Sequence, residues 1–279
     1  MTNPKTWELY AVKYATSINR IRNDNFLNTD PHDSTPMPLD YFIWVAICED
    51  QKIVIDTGFD EIEASARGRN IQRSITESLS LIQIDAKKVK DVIVTHLHYD
   101  HIGGHAEFPT AKFHIQESEM QFATGPHMCS DVMKHPFSVE HITSMVKNVF
   151  EGRVTFYDGV GQVAPGITVH HVGGHTMGLQ FVRVLTKRGY VVLASDTSHF
   201  YENMDQVNPF PIIFNVDDMI RGYQSLREHA ETDNHIIPGH DPIVLDIYPT
   251  PNEKLSGIVA KLDIEPNPHN HSSANLNQK

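Results

Sequence analysis

Short apolar segments rich in β-branched and aromatic residues recur along the chain, each bounded by polar residues, glycine or proline. Segments of this length and composition are typical of buried β-strands. The pattern predicts strands at 9–15, 42–48, 53–55, 91–94, 112–116, 153–157, 167–172, 179–184, 190–194 and 235–237. Stretches of helical composition predict helices over 61–81, interrupted at Gly68, from 117 onward, and over 139–150 and 216–230.

Two parts of the chain lack this patterning. Residues 28–38 are polar and proline-rich, which predicts a loop that is either a plain connection or the border of a pocket. Residues 265–279 are rich in proline, asparagine, histidine and serine, and we expect this tail to be disordered. Strands and helices alternate in two similar halves through the rest, so we expect residues 1–264 to form one α/β domain.

Composition and charge argue against some partners and favour one cellular compartment. The chain has 23 basic and 35 acidic residues, a net charge of −12 over 279 residues, which argues against a nucleic-acid partner. Its two cysteines, Cys48 and Cys129, make neither a disulfide framework nor a zinc-finger pattern, which favours a reducing compartment. No apolar run approaches membrane-spanning length and no signal region opens the chain, so we expect a cytoplasmic protein without a membrane partner.

The chemistry is concentrated directly after the predicted strand at 91–94. Three histidines and one carboxylate fall within six positions there, namely His96, His98, Asp100 and His101. Such side chains at the end of a strand predict a loop that wraps a metal ion. His96 and His98 point the same way in extended backbone, whereas the adjacent Asp100 and His101 point apart, so two ions fit this loop better than one.

The pattern His96-x-His98-x-Asp100-His101 resembles the signature of the metallo-β-lactamase superfamily of dinuclear metallohydrolases. The resemblance covers roughly residues 8–250. It implies an αββα four-layer sandwich, in which two mostly antiparallel mixed sheets lie back to back, helices cover their outer faces and the metals lie at one edge. It also implies that Asp56, in Asp-Thr-Gly after the strand at 53–55, lies under the metal site and orients ligands.

The same resemblance supplies the remaining ligands, each in a loop after a predicted strand. They are His175 in Gly-Gly-His-Thr-x-Gly, Asp196 in Ser-Asp and His240 in Pro-Gly-His-Asp. By resemblance, one ion is held by His96, His98 and His175 and the other by Asp100, His101 and His240, with Asp196 bridging them. Two divalent ions are implied, and the nitrogen-rich ligands favour Zn²⁺, with iron, manganese and cobalt left open.

These ligands predict a catalytic rather than a structural site. Seven side chains, one of them shared, supply four contacts to each ion, and none is a thiolate that would close the coordination shell. Two dications lower the pKa of bound water toward neutrality and polarise an acyl carbonyl, which suits hydrolysis. The alternative from another class is a metal-binding protein without catalytic activity.

Within the superfamily, the single-domain group with this ligand set resembles the N-acyl homoserine lactonases, which open the lactone of bacterial quorum-sensing signals. The resemblance favours lactone opening, that is quorum quenching, by an enzyme with a small-molecule substrate and a possible homodimer. Hydrolysis of another lactone, a cyclic imide, an ester or a thioester, as in glyoxalase II, remains open. The characterised lactonases carry a tyrosine three residues after the bridging aspartate, where this chain has His199, with Tyr201 two further on.

Two residues are therefore candidates for catalysis. We expect His199 to donate a hydrogen bond to the substrate carbonyl or to protonate the leaving alkoxide, in place of that tyrosine. A packed histidine at the end of a strand is the alternative. Asp100, by resemblance, also carries the proton from the nucleophile to the alkoxide.

Overall fold

The computed structural model of the chain describes residues 5–267, in which two β-sheets carry helices on their outer faces. In chain order the strands are β1 (Glu8–Ser17), β2 (Leu39–Cys48), β3 (Gln51–Ile55), β4 (Asn70–Ile71), β5 (Asp91–Ile93), β6 (Lys112–Gln116), β7 (Val154–Tyr157), β8 (Val160–Ala164), β9 (Ile167–His171), β10 (Gln180–Thr186), β11 (Gly189–Ser195), β12 (Ile236–Pro238) and β13 (Val259–Lys261).

The helices lie between these strands. The α-helices are α1 (Glu61–Arg67), α2 (Ile75–Ser80), α3 (Tyr99–Ile102), α4 (Glu117–Thr124), α5 (Asp131–Lys134), α6 (Val139–Phe150), α7 (Tyr201–Asp205), α8 (Val216–His229) and α9 (Val244–Ile247). Short 3₁₀ segments lie at Arg22–Asp24, Ala86–Lys88, His105–Glu107, Pro126–Cys129, Asp233–His235 and Glu253–Leu255.

Both sheets are mixed. The first has the order β13–β1–β2–β3–β5–β6–β7, with β4 paired to the end of β1. It is antiparallel from β13 to β3 and parallel from β3 to β7. The second has the order β12–β11–β10–β9–β8 and is antiparallel except between β11 and β12. These mostly antiparallel mixed sheets with outer helices confirm the predicted α/β sandwich.

The layers follow from how the strands divide their side chains. Leu9 and Ala11 of β1 face the apolar core between the two sheets, whereas Val12 and Tyr14 face the core beneath the helices of the first sheet. On the second sheet, Phe181 packs outward in the cluster that contains Tyr223 and Leu226 of α8. Both faces of each sheet are therefore covered, which explains apolar strands without a polar alternate face.

The predicted helix over 61–81 is wrong in its middle. Helix α1 ends at Arg67 because Gly68 takes a left-handed conformation (φ 63°) and caps it. The chain then pairs briefly with β1 as β4 before Ser74 and Glu77 form a capping box that starts α2. The prediction marked the break at Gly68 but not the strand behind it.

The bounds of several other elements agree with the sequence pattern, whereas a few elements were not predicted. Strand β6 and helix α6 have the predicted residues, and most other strands differ from prediction by one to three residues at either end. Strands β4, β8 and β13 and the short helices α3, α5, α7 and α9 were missed. They are short, and β13 is held by pairing to β1 from the far end of the chain.

The topology brings five strand ends to one edge of the sandwich. Strands β3 and β5 run parallel in the first sheet, and β9, β11 and β12 share one direction in the second. The residues that follow these strands include Asp56, His96, His175, Asp196 and His240. One edge therefore collects the ionisable residues that the sequence spreads over almost two hundred positions.

The start of the predicted tail contacts the rest of the molecule. Glu265 forms an ion pair with Arg188 at 3.3 Å, and the Asn267 amide donates to the Ile247 carbonyl at 2.8 Å. The remainder of the tail, 268–279, lies outside the described residues. Within residues 5–267, no helix is both long enough and apolar enough to cross a lipid bilayer.

Candidate metal centre

The seven ligands expected from the sequence converge in two groups that share one carboxylate. His96, His98, His175 and Asp196 form one group, and their potential ligand atoms lie within 4.8 Å of one another. Asp100, His101 and His240 form the second at the same separation. Asp196 Oδ1 lies 3.2 Å from His101 Nε2 and 3.0 Å from His240 Nε2, and its Oδ2 lies 3.1 Å from His175 Nε2. The carboxylate is thus positioned between the two groups.

The loop expected after β5 contains one helical turn. His98 precedes helix α3, so Asp100 and His101 lie on its single helical turn. Adjacent residues on a helix project about 100° apart. The helical turn therefore points these two side chains apart. The same separation was expected, but from extended backbone.

Outward hydrogen bonds orient the imidazole rings. Three Nδ1 atoms contact oxygens outside the centre: that of His101 lies 2.8 Å from Asp56 Oδ2, that of His175 lies 2.6 Å from the Ile212 carbonyl, and that of His240 lies 2.9 Å from the Asp40 carbonyl. Carbonyl oxygens only accept, so Nδ1 carries the proton in His175 and His240. Their Nε2 lone pairs then point into the centre, as metal ligation requires.

The facing nitrogens fit a cation. His175 Nε2 lies 2.9 Å from His98 Nδ1, and the buried Nε2 atom of His96 has no hydrogen-bond partner within the described residues. Burial lowers the pKa values of His96 and His98 well below their usual range, which keeps these rings neutral. The neutral rings of His96 and His98, next to the Asp196 carboxylate, are a donor set that suits a divalent metal ion.

The position of Asp56 agrees with the supporting role implied by resemblance. Its carboxylate accepts from the Thr95 amide and the Thr95 hydroxyl, each at 2.8 Å, and contacts His101 Nδ1. Burial raises the pKa of Asp56, while His101 and Thr95 act against that rise. For His101, burial opposes the charged form, but the carboxylates of Asp196 and Asp56 outweigh it and raise the pKa well above its usual range.

Glu119 is a supporting residue that the sequence analysis missed. It lies in the first turn of α4, fully buried, and accepts from the Leu97 amide at 2.8 Å and from the Gly178 amide at 2.9 Å. One amide belongs to the loop of His96 and His98 and the other to the loop of His175. No local motif marks this glutamate, because its partners come from distant segments.

His199 faces the centre, whereas Tyr201 does not. His199 Nε2 lies 3.0 Å from Asp196 Oδ2, and its ring stacks on Phe210 with centroids 3.8 Å apart. Burial lowers the pKa of His199 to about 3, so the ring is neutral. His199, Asp196 and His240 also make a third group able to hold an ion. The buried Tyr201 hydroxyl instead interacts with Tyr248, away from the cavity.

Two adjoining cavities open onto the centre. A small one of about 60 Å³ is lined by Asp100, Asp196, His199 and His240 together with arginine and tyrosine side chains. A larger one of about 460 Å³ has mostly apolar walls, formed by Phe122, Val132, Met133, Ile213 and Phe214 among others, and shares His98 and His175 with the first. The loop at 28–38, a possible pocket border in the sequence analysis, lines neither cavity within the described residues.

Known proteins are similar to this chain in sequence and in fold. A curated N-acyl homoserine lactonase from a Bacillus species is 25% identical over 191 residues, which are 62% of this chain and 70% of that protein. The N-acyl homoserine lactonase AttM of Azorhizobium caulinodans is 27% identical over 177 residues. That match covers 60% of this chain and 62% of AttM, less than two thirds of its length.

A solved structure supports the fold assignment. It is that of AidC, described as a dizinc quorum-quenching lactonase in complex with a product, which superposes with a TM-score of 0.67 at 16% identity. The superposition covers 86% of this chain and 89% of that one. The family model described as the metallo-beta-lactamase superfamily matches residues 38–240, well over half of the sequence. The chain therefore belongs to the metallo-beta-lactamase superfamily.

Proposed function

We propose that this protein is a metal-dependent hydrolase that opens lactone rings, those of N-acyl homoserine lactones among them. The observation that carries the proposal is the pair of ligand groups joined by one carboxylate, Asp196. Relatives named as lactonases support the reaction class. In this proposal the protein removes quorum-sensing signals.

Each residue of the centre has a proposed place. His96, His98 and His175 would hold one divalent ion, and Asp100, His101 and His240 would hold the other, with Asp196 shared by the two groups. We favour Zn²⁺ because five of the seven ligands are imidazoles and because AidC, of the same fold, is described as a dizinc enzyme. When bound, two such ions supply Lewis acidity, which activates water near neutral pH and polarises an acyl carbonyl.

The chain's own groups hold the substrate and move the proton. Water adds to the lactone carbonyl carbon, the ring C–O bond breaks, and the proton from water ends on the ring oxygen, which gives a hydroxy acid. Asp100 lines the small cavity, and its side chain is only 12% exposed. It is the proposed carrier of that proton. His199, which lines the same cavity, is the proposed donor of a hydrogen bond to the carbonyl oxygen.

The larger cavity has the character of a site for the acyl part of the substrate. Its walls are largely apolar, and its volume of about 460 Å³ leaves room for an acyl chain next to the centre. Because it shares His98 and His175 with the small cavity, an acyl group lying there reaches the reacting carbonyl.

The direct test is a pH-indicator assay of Zn²⁺-loaded protein on N-acyl homoserine lactones of varied chain length, with S-lactoylglutathione as a thioester. We expect lactone opening that is lost in Asp196→Ala, since the shared carboxylate then holds neither ion. An exposed acidic residue provides the matched control, Asp217→Ala on α8, which should retain the rate. If metal-loaded protein opens none of these lactones, the proposed reaction is wrong.

A second test addresses His199. We expect His199→Ala to lower kcat/KM by about 100-fold, because the developing oxyanion loses a hydrogen-bond donor. His199→Tyr should recover part of the rate, since the phenol supplies a donor. Tyr201→Phe serves as the control, because the Tyr201 hydroxyl interacts with Tyr248 rather than with the centre. Full kcat/KM in His199→Ala would remove His199 from the reaction.

A further inference from the structure

Three arginines, Arg20, Arg67 and Arg69, line the small cavity beside the candidate metal centre. This concentration of positive charge stands out in a chain whose net charge is −12. The cavity also presents the carboxylates of Asp100 and Asp196, which belong to the proposed metal ligands. With metal ions bound, those carboxylates would be shared with the cations, which would leave the guanidinium groups to attract an anionic ligand.

All three guanidinium nitrogens of Arg67 already have partners within the fold. Its Nε forms an ion pair with Glu63 at 2.7 Å, and its terminal nitrogens donate to the carbonyls of His135 and Phe137 at 2.9 and 3.4 Å. Its guanidinium also lies 4.1 Å from the centre of the Tyr99 ring. Arg67 therefore holds the wall of the cavity and has little left to offer a ligand.

Arg69 and Arg20 differ from Arg67 because neither forms an ion pair within residues 5–267. The Arg69 Nε donates to the Tyr99 hydroxyl at 3.2 Å, and no hydrogen bond involves its terminal nitrogens within the described residues. The Arg20 Nε donates to Asn25 Oδ1 at 2.7 Å, and one terminal nitrogen donates to the Asp24 carbonyl. Both cations are held in place by neutral partners.

The neighbouring side chains fix these two groups through neutral contacts, and the carboxylates of Asp100 and Asp24 act on them without forming an ion pair. Arg20 packs over the Phe210 ring at 5.0 Å, the same ring that stacks on His199. The Tyr99 hydroxyl that accepts from Arg69 lies 3.3 Å from the Tyr41 hydroxyl. Half-buried charges held by neutral contacts are costly unless a ligand completes them. The positions of the Arg20 and Arg69 guanidinium groups are thus fixed without a ligand.

We propose that Arg20 and Arg69 bind a carboxylate that the substrate carries in addition to the acyl group opened at the centre. The inference rests on the proposed lactone opening and specifies its substrate class. A guanidinium matches the planar, two-oxygen geometry of a carboxylate, so two neighbouring arginines suit this anion. Lactones with a ring carboxylate are the preferred substrates.

The test compares two lactones that differ only in one charge: γ-butyrolactone bearing a carboxylate on the ring carbon next to the ring oxygen, and the corresponding carboxamide. We expect the wild-type enzyme to favour the carboxylate by at least about tenfold in kcat/KM, mainly through KM. Arg69→Met and Arg20→Met should each reduce that preference by about tenfold, and Arg69→Lys should keep part of it.

The control is Arg221→Met, since Arg221 is 75% exposed on α8, pairs with Asp217 and lines neither cavity within the described residues. It should leave the preference unchanged. The ring-opened product, 2-hydroxyglutarate, gives a second readout, because its inhibition constant should rise in Arg69→Met if that arginine binds the carboxylate. Circular dichroism of each variant confirms that the fold is retained.

The outcomes separate the inference from the function on which it rests. Equal turnover of carboxylate and carboxamide, or a preference that survives both methionine variants, overturns the inference while lactone opening stands. Stronger turnover of the same lactone bearing a phosphate group also overturns it, because the site then selects another anion. Absence of hydrolysis of every lactone, neutral or charged, overturns the proposed function itself.

Discussion

Glu119 shows how one buried carboxylate can set the geometry of two loops. It accepts from the amide of Leu97, between His96 and His98, and from the amide of Gly178, three residues after His175. Burial raises the pKa of Glu119, an effect that the two amides oppose. The residue touches none of the proposed ligands, yet it connects the loops that present them.

Glu119→Gln tests this connection. The glutamine amide can accept only through its oxygen, so its NH₂ group faces one backbone N–H that loses its partner, at a cost of about 1–3 kcal/mol. We expect metal affinity to fall by roughly 10- to 100-fold, as for other residues that orient ligands. Competition with a chromogenic chelator measures the affinity. Glu117→Gln, an exposed change on the same helix, is the control, and equal affinities in the two variants would contradict the role.

His170 lies outside the centre and gives the fold a pH dependence of its own. It is buried at the end of β9, stacks on Phe181 with centroids 4.9 Å apart, and lies next to His229. Burial, aided by the charges of His229 and Arg183, lowers its pKa to about 4. The unfolded chain binds a proton at His170 below its usual pKa of about 6.5, whereas the folded chain does not until about pH 4.

Stability should therefore fall as the pH drops from about 6.5 to about 4, because the unfolded state binds the extra proton in that window. We expect His170→Gln to remove on the order of 1–2 kcal/mol of this decline after allowance for solvent screening. Denaturant unfolding of metal-free wild type and variant at pH 7 and pH 4.5 measures the difference. The exposed His32→Gln is the control, and a slope unchanged by His170→Gln would refute the assignment.

At the scale of elements, the contact between helix α4 and the loop after β9 depends on a glycine. A Cβ at Gly178 would lie 2.1 Å from the Glu119 backbone nitrogen and 2.4 Å from its Cα. Helix α4 can approach this closely only because position 178 has no side chain. The last glycine of the Gly-Gly-His-Thr-x-Gly motif is thus required by the packing of α4, which the motif alone does not indicate.

We expect Gly178→Ala to push α4 away from the loop of His175. Overpacking of this kind costs about 1–3 kcal/mol, which lowers Tm by several degrees in a domain of this size. Metal affinity should fall with it, since the hydrogen bond from Gly178 to Glu119 lengthens. Gly152→Ala is the comparison, because Gly152 has a positive φ of 71° but open space around its Cβ position. Metal affinity equal to wild type in Gly178→Ala would contradict the coupling.

At the scale of the whole molecule, the fold class and the proposed ligands could be predicted from the sequence, whereas the residues around the ligands could not. His96, His175, Asp196 and His240 each follow an apolar segment, and a short local pattern marks each of them. Strand ends in a mixed sheet meet at one edge, so these residues could be predicted to converge. Their convergence needs no knowledge of side-chain packing.

The residues that support the ligands could not be predicted, because no local sequence pattern marks them. Glu119, Arg20 and Arg69 have ordinary sequence surroundings, and each contacts a partner in a distant segment, namely Leu97, Phe210 and Tyr99 respectively. Strand β13 was missed on the same ground, because three residues become a strand only by pairing with β1. These features depend on long-range packing rather than on local propensity, so no local sequence pattern indicates them.

The central claim is that seven side chains bind two divalent cations through a shared aspartate. The most direct test is metal analysis by mass spectrometry of protein incubated with Zn²⁺ and freed of unbound metal. We predict two zinc ions per wild-type chain, with a clear loss in folded Asp196→Ala and no loss in Asp217→Ala. Folded wild-type protein that retains no divalent metal, or an Asp196→Ala variant that keeps both ions with unchanged affinity, would contradict the account.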